Sequence, residues 1–280
     1  MLARILHPRE NHPRFPEVRL RGTHVIDLNK LGYDGEDQLI VSLPWSYDQD
    51  PLKKHPVVYV FDAYWDFELM WALYNKLMAD RLIPEYILVG LSYSRPLNEV
   101  RAIRERDQRP PEKGSDYLQR IQQRIIPFVE SEYPADPEAR FLCGISTGGL
   151  VALESLFSAP GLFHGVVALG ANPALYDGWL RRSEEAFYKA QRPLKSLLLG
   201  HGPKLPARVF MGFGGLDQPE LLKEASTFNQ LLDQRNYLYL KKQFRVIEGE
   251  THASVFAEGM NRGLRHLFAN ESAKGKPQCT

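Results

Sequence analysis

From residue 56 onward, the chain alternates short apolar runs with longer stretches in which apolar residues recur every three or four positions. Short, fully apolar runs are typical of strands buried on both faces of a sheet, and the longer period is typical of amphipathic helices. Strands that alternate with helices predict a mostly parallel sheet with helices on both faces, which is an α/β fold. Including a pair ahead of this array, the predicted strands are 19–28, 38–43, 56–61, 86–91, 140–145, 164–169, 208–213 and 242–247.

We expect residues 1–280 to form one domain, because no change in composition, flexible linker or internal repeat divides the chain. The Pro-, Arg- and His-rich residues 1–17 predict an irregular N-terminal lead-in, and residues 270–280 predict a disordered tail. The polar segment 92–115 predicts a long loop. The less regular stretch 171–205, which is rich in aromatic residues, predicts a cap or lid.

The composition favours a globular protein that binds neither nucleic acid nor membrane. Hydrophobic residues make up 44% of the 280 residues, and the formal net charge of +1 provides no overall field to attract an anionic polymer or surface. No apolar run approaches the roughly 18 residues of a membrane span, and the N-terminus lacks the apolar stretch of a signal peptide. Cys143 and Cys279 are expected to be free thiols, which favours a reducing compartment. We expect a cytoplasmic protein, with a chain that begins at a processed N-terminus as the alternative.

A Gly-x-Ser-x-Gly sequence, Gly144 to Gly148, stands between the predicted strand 140–145 and a predicted helix at 147–158. Such a turn from strand to helix holds its serine in a strained conformation and presents the hydroxyl at the carboxyl end of the sheet. The pentapeptide arises by chance about once in ten chains of this length, so the flanking strand and helix are what give it weight. Ser146 is therefore the candidate nucleophile.

A serine hydroxyl needs a base to take its proton, and the usual chain order with this turn is serine, acid, histidine. His252 follows the last predicted strand and precedes the last predicted helix, so it is the candidate base. Asp217, the first carboxylate after the preceding strand, is the candidate acid, with Glu220, Glu250 or a dyad without an acid as alternatives. The competing structural interpretations are a surface-loop histidine and an aspartate that caps the following helix.

An oxyanion hole in this arrangement takes one backbone N–H from the residue after the nucleophile and one from the loop after the third strand. These rules indicate Thr147 together with Ala63 or Tyr64. The neighbouring Trp65, like Tyr64, either forms a pocket wall or belongs to the core.

The segment 92–115 carries several arginines, among them Arg104 and Arg106. They are either part of a solvated charged loop or a receptor for an anionic group of the substrate. The second alternative arises because they follow the carboxyl end of a strand.

Other chemistries lack their motifs in this sequence. It contains no P-loop, no His-Glu-x-x-His and no Cys-x-x-Cys, and residues 212–217 lack the third glycine of a dinucleotide fingerprint. No cofactor and no metal are therefore expected, and the expected partner is a small-molecule substrate.

Several motifs together resemble one branch of a known superfamily. They are Val57-Val-Tyr-Val-Phe-Asp62, Arg104-Glu-Arg-Asp107, Ile126-Pro-Phe-Val-Glu130, Cys143-Gly-Ile-Ser-Thr-Gly-Gly149, Leu162-Phe-His-Gly-Val166, Glu248-Gly-Glu-Thr-His-Ala-Ser-Val255 and Arg262-Gly-Leu-Arg-His-Leu-Phe268. Over most of residues 20–268, the chain resembles the putative-esterase branch of the α/β-hydrolases. That branch includes esterase D-type S-formylglutathione hydrolases, mycolyltransferases, feruloyl esterases and enterobactin-type trilactone siderophore esterases.

The resemblance implies an α/β-hydrolase fold with Ser146 as nucleophile, His252 as base and Arg106 at the pocket mouth. Relatives usually have Asp-Gly after the third strand, whereas this chain has Asp62-Ala63. The implied activity is that of a serine esterase acting through an acyl-enzyme, with a trilactone siderophore-type ester as one candidate substrate. The alternatives are a thioesterase of the S-formylglutathione hydrolase type, an acyltransferase and a non-catalytic binding protein with a hydrolase fold.

Overall fold

The computed structural model describes residues 19–33, 35–50, 52–109, 114–191 and 202–269. Within these ranges lie eight strands: β1 (Thr23–Asp27), β2 (Asp37–Ser42), β3 (His55–Val60), β4 (Ile87–Tyr93), β5 (Ala135–Ile145), β6 (Gly165–Leu169), β7 (Arg208–Gly214) and β8 (Lys241–Ile247). The predicted lead-in 1–17, the tail 270–280 and part of the predicted lid segment lie outside the described residues.

The eight strands form one sheet in the order β1-β2-β4-β3-β5-β6-β7-β8. β1 pairs antiparallel with β2, and β2 pairs antiparallel with β4, whereas each pair from β4 to β8 is parallel. The carboxyl ends of six strands therefore meet at one edge of the sheet, where functional groups collect in folds of this type. The predicted mostly parallel sheet is confirmed.

The helices within the described residues cover both faces of the sheet. Because successive side chains of a strand point to opposite faces, Val57 and Tyr59 of β3 belong to one buried cluster and Val58 and Val60 to another. The first cluster is completed by most of the helices, and α1 and α8 pack in the second. The helices are α1 (Ala63–Ala79), α2 (Leu97–Asp107), α3 (Gly114–Arg120), α4 (Ile126–Glu132), α5 (Thr147–Ser158), α6 (Leu175–Gln191), α7 (Pro219–Arg235) and α8 (Val255–Leu267).

The expectation of one long loop over 92–115 is wrong, because α2 lies within it. Val100, Ile103 and Asp107 are buried at helical spacing on one face of the helix, and the two apolar residues belong to the first cluster. This buried face contains only two apolar residues, so the sequence of the helix shows no clear apolar period.

The stretch 171–205 is also more regular than expected, since α6 occupies much of it. Buried Trp179, Leu180, Glu184 and Phe187 form its inner face. The helix is kinked near its start, where Tyr176, Asp177 and Gly178 have left-handed backbone angles. Residues 192–201 lie outside the described part, and the role of this segment as a lid stays a prediction.

A turn of π-helix, Ile121–Ile125, joins α3 to α4, and Pro127, which lacks the N–H of a regular helical residue, follows this turn in the first turn of α4. None of the helices in the described ranges combines the length and apolar character that a membrane span requires.

Candidate active site

Ser146 lies in a strained turn between β5 and α5, with φ of 58° and ψ of −122°. A backbone in this region costs on the order of 1–3 kcal/mol for a residue with a side chain, so the surrounding structure must hold it. The Ser146 N–H donates to the carbonyl oxygen of Leu169 at 2.8 Å. A Cβ at Gly144 would lie 2.5 Å from the carbonyl carbon of Gly148. Gly144 is therefore needed because the chain passes so close to itself, and a Cβ at Gly148 would lie 3.0 Å from Phe61 Cβ.

The imidazole of His252 packs against the end of β6. His252 lies in the loop between β8 and α8, and a Cβ at Gly170 would come within 2.7 Å of its Cε1 and 2.9 Å of its Nδ1. Gly170 also has a φ of 54°, which disfavours any residue with a side chain. Leu169, the residue before it, accepts the Ser146 N–H. The end of β6, at Leu169 and Gly170, thus contacts both the candidate nucleophile and the candidate base.

The carboxylate of Asp217 orients this histidine. Its Oδ1 lies 3.1 Å from His252 Nδ1, and its Oδ2 accepts the N–H of Gly214 at 3.0 Å. The Asp217 side chain is 3% exposed and that of His252 is 43% exposed. Because an ionised carboxylate can only accept, Nδ1 carries the proton and Nε2 is left to act as the acceptor.

The alternative acids are placed elsewhere. Glu250 accepts a hydrogen bond from the Ser254 hydroxyl, and Glu220 is exposed in the first turn of α7. Asp217 does not act as the helix cap, because Gln218 occupies that position and forms no side-chain cap bond.

The loops that carry Asp217 and His252 are bonded to each other. Gly215 donates its N–H to the carbonyl oxygen of Ile247 at 2.7 Å, and Leu216 donates to that of Glu250 at 2.9 Å. These two bonds fix the acid loop against the base loop, so the contact between the two side chains rests on a rigid backbone frame.

The start of α1 presents the predicted second donor of the oxyanion hole. Trp65 and Asp66 donate their N–H groups to the carbonyl oxygen of Asp62, at 2.8 and 3.1 Å. The N–H groups of Ala63 and Tyr64 have no acceptor among the described residues, as expected at a helix N-terminus. The Trp65 side chain is 52% exposed, so Trp65 is a surface residue beside the turn and not part of the core.

The turn after β3 is held by a buried network that sequence reasoning missed. Asp62 has a left-handed backbone with φ of 58°, and its carboxylate accepts two bonds from Arg104, at 2.7 and 2.9 Å. It also accepts the side-chain N–H of Gln108 at 2.9 Å, and Gln108 accepts the Thr147 hydroxyl at 2.7 Å. Position after a strand could have suggested Asp62, but no motif marks Gln108.

Arg104 and Arg106, the two arginines of α2 that are candidates for substrate binding, both have carboxylate partners. Arg104 is engaged by Asp62, whereas Arg106, with its side chain 47% exposed, lies 2.8 Å from Asp107 and 3.3 Å from Glu36. Arg104 therefore faces the turn after β3, and Arg106 keeps an exposed part that could meet a ligand.

A second carboxyl group, Asp66, lies one helical turn beyond Asp62. Burial raises the pKa of Asp66 to about 7, and the Asp62 carboxylate acts in the same direction while Arg104 opposes both. Neutral and charged forms of Asp66 therefore coexist near neutral pH.

Solved structures resemble this chain over most of its length. The BES protein from Bacillus cereus has a TM-score of 0.77 at 21% identity, covering 92% of this chain and 99% of that one. An IroE-like serine hydrolase from Shewanella oneidensis has a TM-score of 0.70 at 24% identity, and the match covers 84% of this chain and 76% of that one. Siderophore hydrolase EstB from Aspergillus nidulans has a TM-score of 0.71 at 22% identity, and the match covers 91% of this chain and 98% of that one. The expected α/β-hydrolase fold is confirmed.

The family model described as Putative esterase matches residues 33–267, which include the Ser146 turn, Asp217, His252 and the turn after β3. The match extends over more than half of the chain and confirms the resemblance drawn from the motifs. This chain belongs to the Putative esterase family.

Proposed function

We propose that this protein cleaves a carboxylic ester through an acyl-enzyme formed on Ser146, with His252 as general base and Asp217 as the third member of the triad. The family to which the chain belongs is described as Putative esterase, which supports ester cleavage. The single observation that best supports these residue roles is the 3.1 Å contact between His252 Nδ1 and Asp217 Oδ1, made beside the strand end that also binds the Ser146 N–H.

In the acylation step, His252 Nε2 takes the proton of the Ser146 hydroxyl as Oγ attacks the ester carbonyl carbon. Asp217 accepts the Nδ1–H and stabilises the imidazolium that forms. When the tetrahedral intermediate collapses, the carbon–oxygen bond to the alcohol breaks, and the imidazolium returns its proton to that leaving oxygen.

The negative oxygen of the intermediate needs donors that are already in place. We propose that the backbone N–H of Thr147 supplies one and that of Ala63 or Tyr64 the other. Both segments begin helices, so the positive ends of the α5 and α1 dipoles act in the same direction.

In the deacylation step, His252 takes a proton from water as the water oxygen attacks the acyl carbon. Collapse of the second intermediate releases the carboxylic acid and returns the proton to Ser146 Oγ. The reaction consumes one water and needs no cofactor.

For the substrate, we propose a small-molecule ester of the trilactone siderophore type. The Arg104-Glu-Arg-Asp107 segment resembles the siderophore-esterase side of the branch, and EstB, which shares the fold, is a siderophore hydrolase. Thioester hydrolysis of the S-formylglutathione type and acyl transfer to an alcohol are the alternatives within the same chemistry.

We also propose a cytoplasmic protein built as a single domain. The thiol of Cys143 is buried and unbonded to another cysteine, and the eight strands of the described residues share one sheet. Cys279 lies outside the described residues.

Turnover of an ester panel by the wild type and by Ser146→Ala tests the proposal. The panel spans short acyl, feruloyl, thioester and siderophore substrates. We expect Ser146→Ala to lower kcat by at least ~10³-fold on every substrate that the wild type hydrolyses, because the nucleophile is gone. Retention of wild-type turnover would exclude Ser146 as the nucleophile. Absence of wild-type turnover on the whole panel would favour the binding-protein interpretation.

A further inference from the structure

The two donors of the proposed oxyanion hole come from different segments, and backbone bonding joins those segments only below the site. β3 and β5 pair as far as Val60 and Cys143, and the Phe61 N–H donates to the Cys143 carbonyl at 2.9 Å. Beyond Phe61, no backbone hydrogen bond in the described part of the chain links the turn after β3 to the Ser146 turn. Any direct hydrogen bond between the two turns must therefore involve side chains.

Gln108 lies between the two segments and bonds to both. It follows the last residue of α2 and is 2% exposed. Its Nε2 donates to Asp62 Oδ1 at 2.9 Å, and its Oε1 accepts the hydroxyl of Thr147 at 2.7 Å. Asp62 is the residue before Ala63, and Thr147 is the residue after Ser146. One buried amide thus spans from one donor segment to the other.

The direction of these bonds is fixed by chemistry. The Asp62 carboxylate, ionised and paired with Arg104, can only accept, so the NH₂ of the Gln108 amide must face it. The amide oxygen then faces Thr147, whose hydroxyl must donate. Glutamine satisfies both ends at once, whereas glutamate would place a second carboxylate against Asp62.

The two segments are also packed against each other, so a small displacement of one is transmitted to the other. A Cβ at Gly148 would lie 3.0 Å from Phe61 Cβ and 3.5 Å from Asp62 Oδ2. Arg104 also holds the Asp62 carboxylate, with two bonds. The turn after β3 is thus held by both Arg104 and Gln108.

We propose that Gln108 is a positioning residue that holds the two backbone donors of the oxyanion hole at the separation required by the tetrahedral intermediate. This inference rests on the proposed function. Gln108 touches neither the substrate nor the reacting atoms. It acts through Asp62 on the N–H of Ala63 or Tyr64, and through the Thr147 side chain on the Thr147 N–H. Donors must lie about 2.7–3.1 Å from the oxyanion, and displacements below 1 Å already lower the rate.

The main test is Gln108→Met, which fills the same volume without hydrogen bonding. We expect kcat to fall about 10- to 100-fold, less than the 10²- to 10³-fold typical of losing a donor outright, with KM within about threefold of wild type. Rates are normalised to the concentration of sites that a fluorophosphonate titrates, so that loss of folded protein does not count as loss of rate. Gln230→Met, the same change at an exposed position of α7, is the matched control and should leave kcat and KM unchanged.

Thr147→Val breaks the same bridge from its other end and keeps the shape of the side chain. We expect a similar fall in kcat, and we expect the double variant with Gln108→Met to be no slower than the slower single variant, because each change removes the same link. If Gln108→Met does not fold, Thr147→Val alone decides in the same way.

The inference would be overturned if the kcat of folded Gln108→Met or folded Thr147→Val lay within twofold of wild type. It would also be overturned if the fold-decreases in kcat of the two single variants multiplied in the double variant. Ser146→Ala, measured alongside, separates this failure from failure of the proposed function. Turnover that survives Ser146→Ala contradicts the mechanism itself, whereas an inactive Ser146→Ala beside a fully active Gln108→Met contradicts only the role of Gln108.

Discussion

The position of the His252 ring depends on a residue that has no side chain. Gly170 lies directly under the imidazole, and any Cβ there would overlap it at 2.7 Å. The chain therefore fixes its candidate base not only by the hydrogen bond to Asp217 but also by leaving space at the end of β6.

Gly170→Ala should displace the imidazole and lower kcat. We expect a fall of about 10²-fold or more, because proton transfer from Ser146 requires close and aligned atoms. Gly161→Ala is the matched control, since Gly161 also has a positive φ, of 85°, but a Cβ there meets nothing within 4 Å. Steady-state kinetics on a short ester measure both. Equal kinetics in the two variants would show that the ring does not depend on the space at Gly170.

Asp66 should make the stability of the protein fall as pH rises. Its pKa is about 7 in the folded chain against 3.8 in the unfolded chain, so between these values the folded state binds more protons. Asp66→Asn should therefore raise the free energy of unfolding by roughly 2–4 kcal/mol at pH 8, with the gain disappearing towards pH 4. Denaturant unfolding across this pH range measures it.

Glu68→Gln, which removes an exposed carboxylate two residues further along α1, is the control for Asp66→Asn. It should alter the free energy of unfolding by less than about 0.5 kcal/mol at either pH. An Asp66→Asn variant that is less stable than wild type at pH 8 would show that the charged carboxylate is favoured in the folded state.

Among single residues, the candidate catalytic residues could be named from the sequence, whereas the residues bonded around them could not. Ser146, His252 and Asp217 follow from local signals, namely a glycine-flanked serine and polar residues after strands. Gln108 bonds partners 46 and 39 residues away in the sequence, and such contacts leave no local pattern. The catalytic roles of all these residues stay predictions until they are measured.

Among the elements, α2 carries both the arginine that binds the turn after β3 and the arginine that we propose contacts the substrate. Arg104 on this helix holds Asp62, whereas Arg106 faces Glu36 and solvent. Because Arg104 binds the turn after β3 and Arg106 is partly exposed, we expect substitutions of the two to have different effects on catalysis.

Arg104→Met should lower kcat about 10-fold or more for neutral and anionic esters alike, because it leaves the Asp62 carboxylate without its cation. Arg106→Met should instead raise KM about 3- to 10-fold for anionic esters and leave neutral esters within twofold, if the exposed guanidinium meets the substrate. Arg101→Met, whose guanidinium is exposed and pairs only with Glu105 among the described residues, is the control. Equal effects of Arg106→Met on both ester types would remove Arg106 from the substrate site.

Elements with a clear apolar stripe were predictable from the sequence, and elements without one were not. α5 begins and ends where expected, and each predicted strand overlaps an observed one. α2 was missed because its buried face holds an aspartate beside only two apolar residues. α6 was missed because its first turn has left-handed backbone angles and its inner face includes the buried Glu184.

For the whole molecule, sheet topology brings the candidate site together. Ser146, Asp217 and His252 follow β5, β7 and β8, and these parallel strands end at the same edge of the sheet. The alternation of strands and helices predicts this parallel arrangement. It does not predict that β4 lies between β2 and β3, because the order of strands depends on packing between distant segments.

The measurement that most directly tests the account is covalent labelling by a fluorophosphonate, mapped by peptide mass spectrometry. We predict one adduct, on Ser146, in the folded wild type. Labelling should be abolished in Ser146→Ala and in denatured wild type, and slowed at least ~10²-fold in His252→Ala, because the hydroxyl needs its base. Absence of an adduct on Ser146 in folded protein that hydrolyses esters, or labelling at an unchanged rate in His252→Ala, would contradict the proposed mechanism.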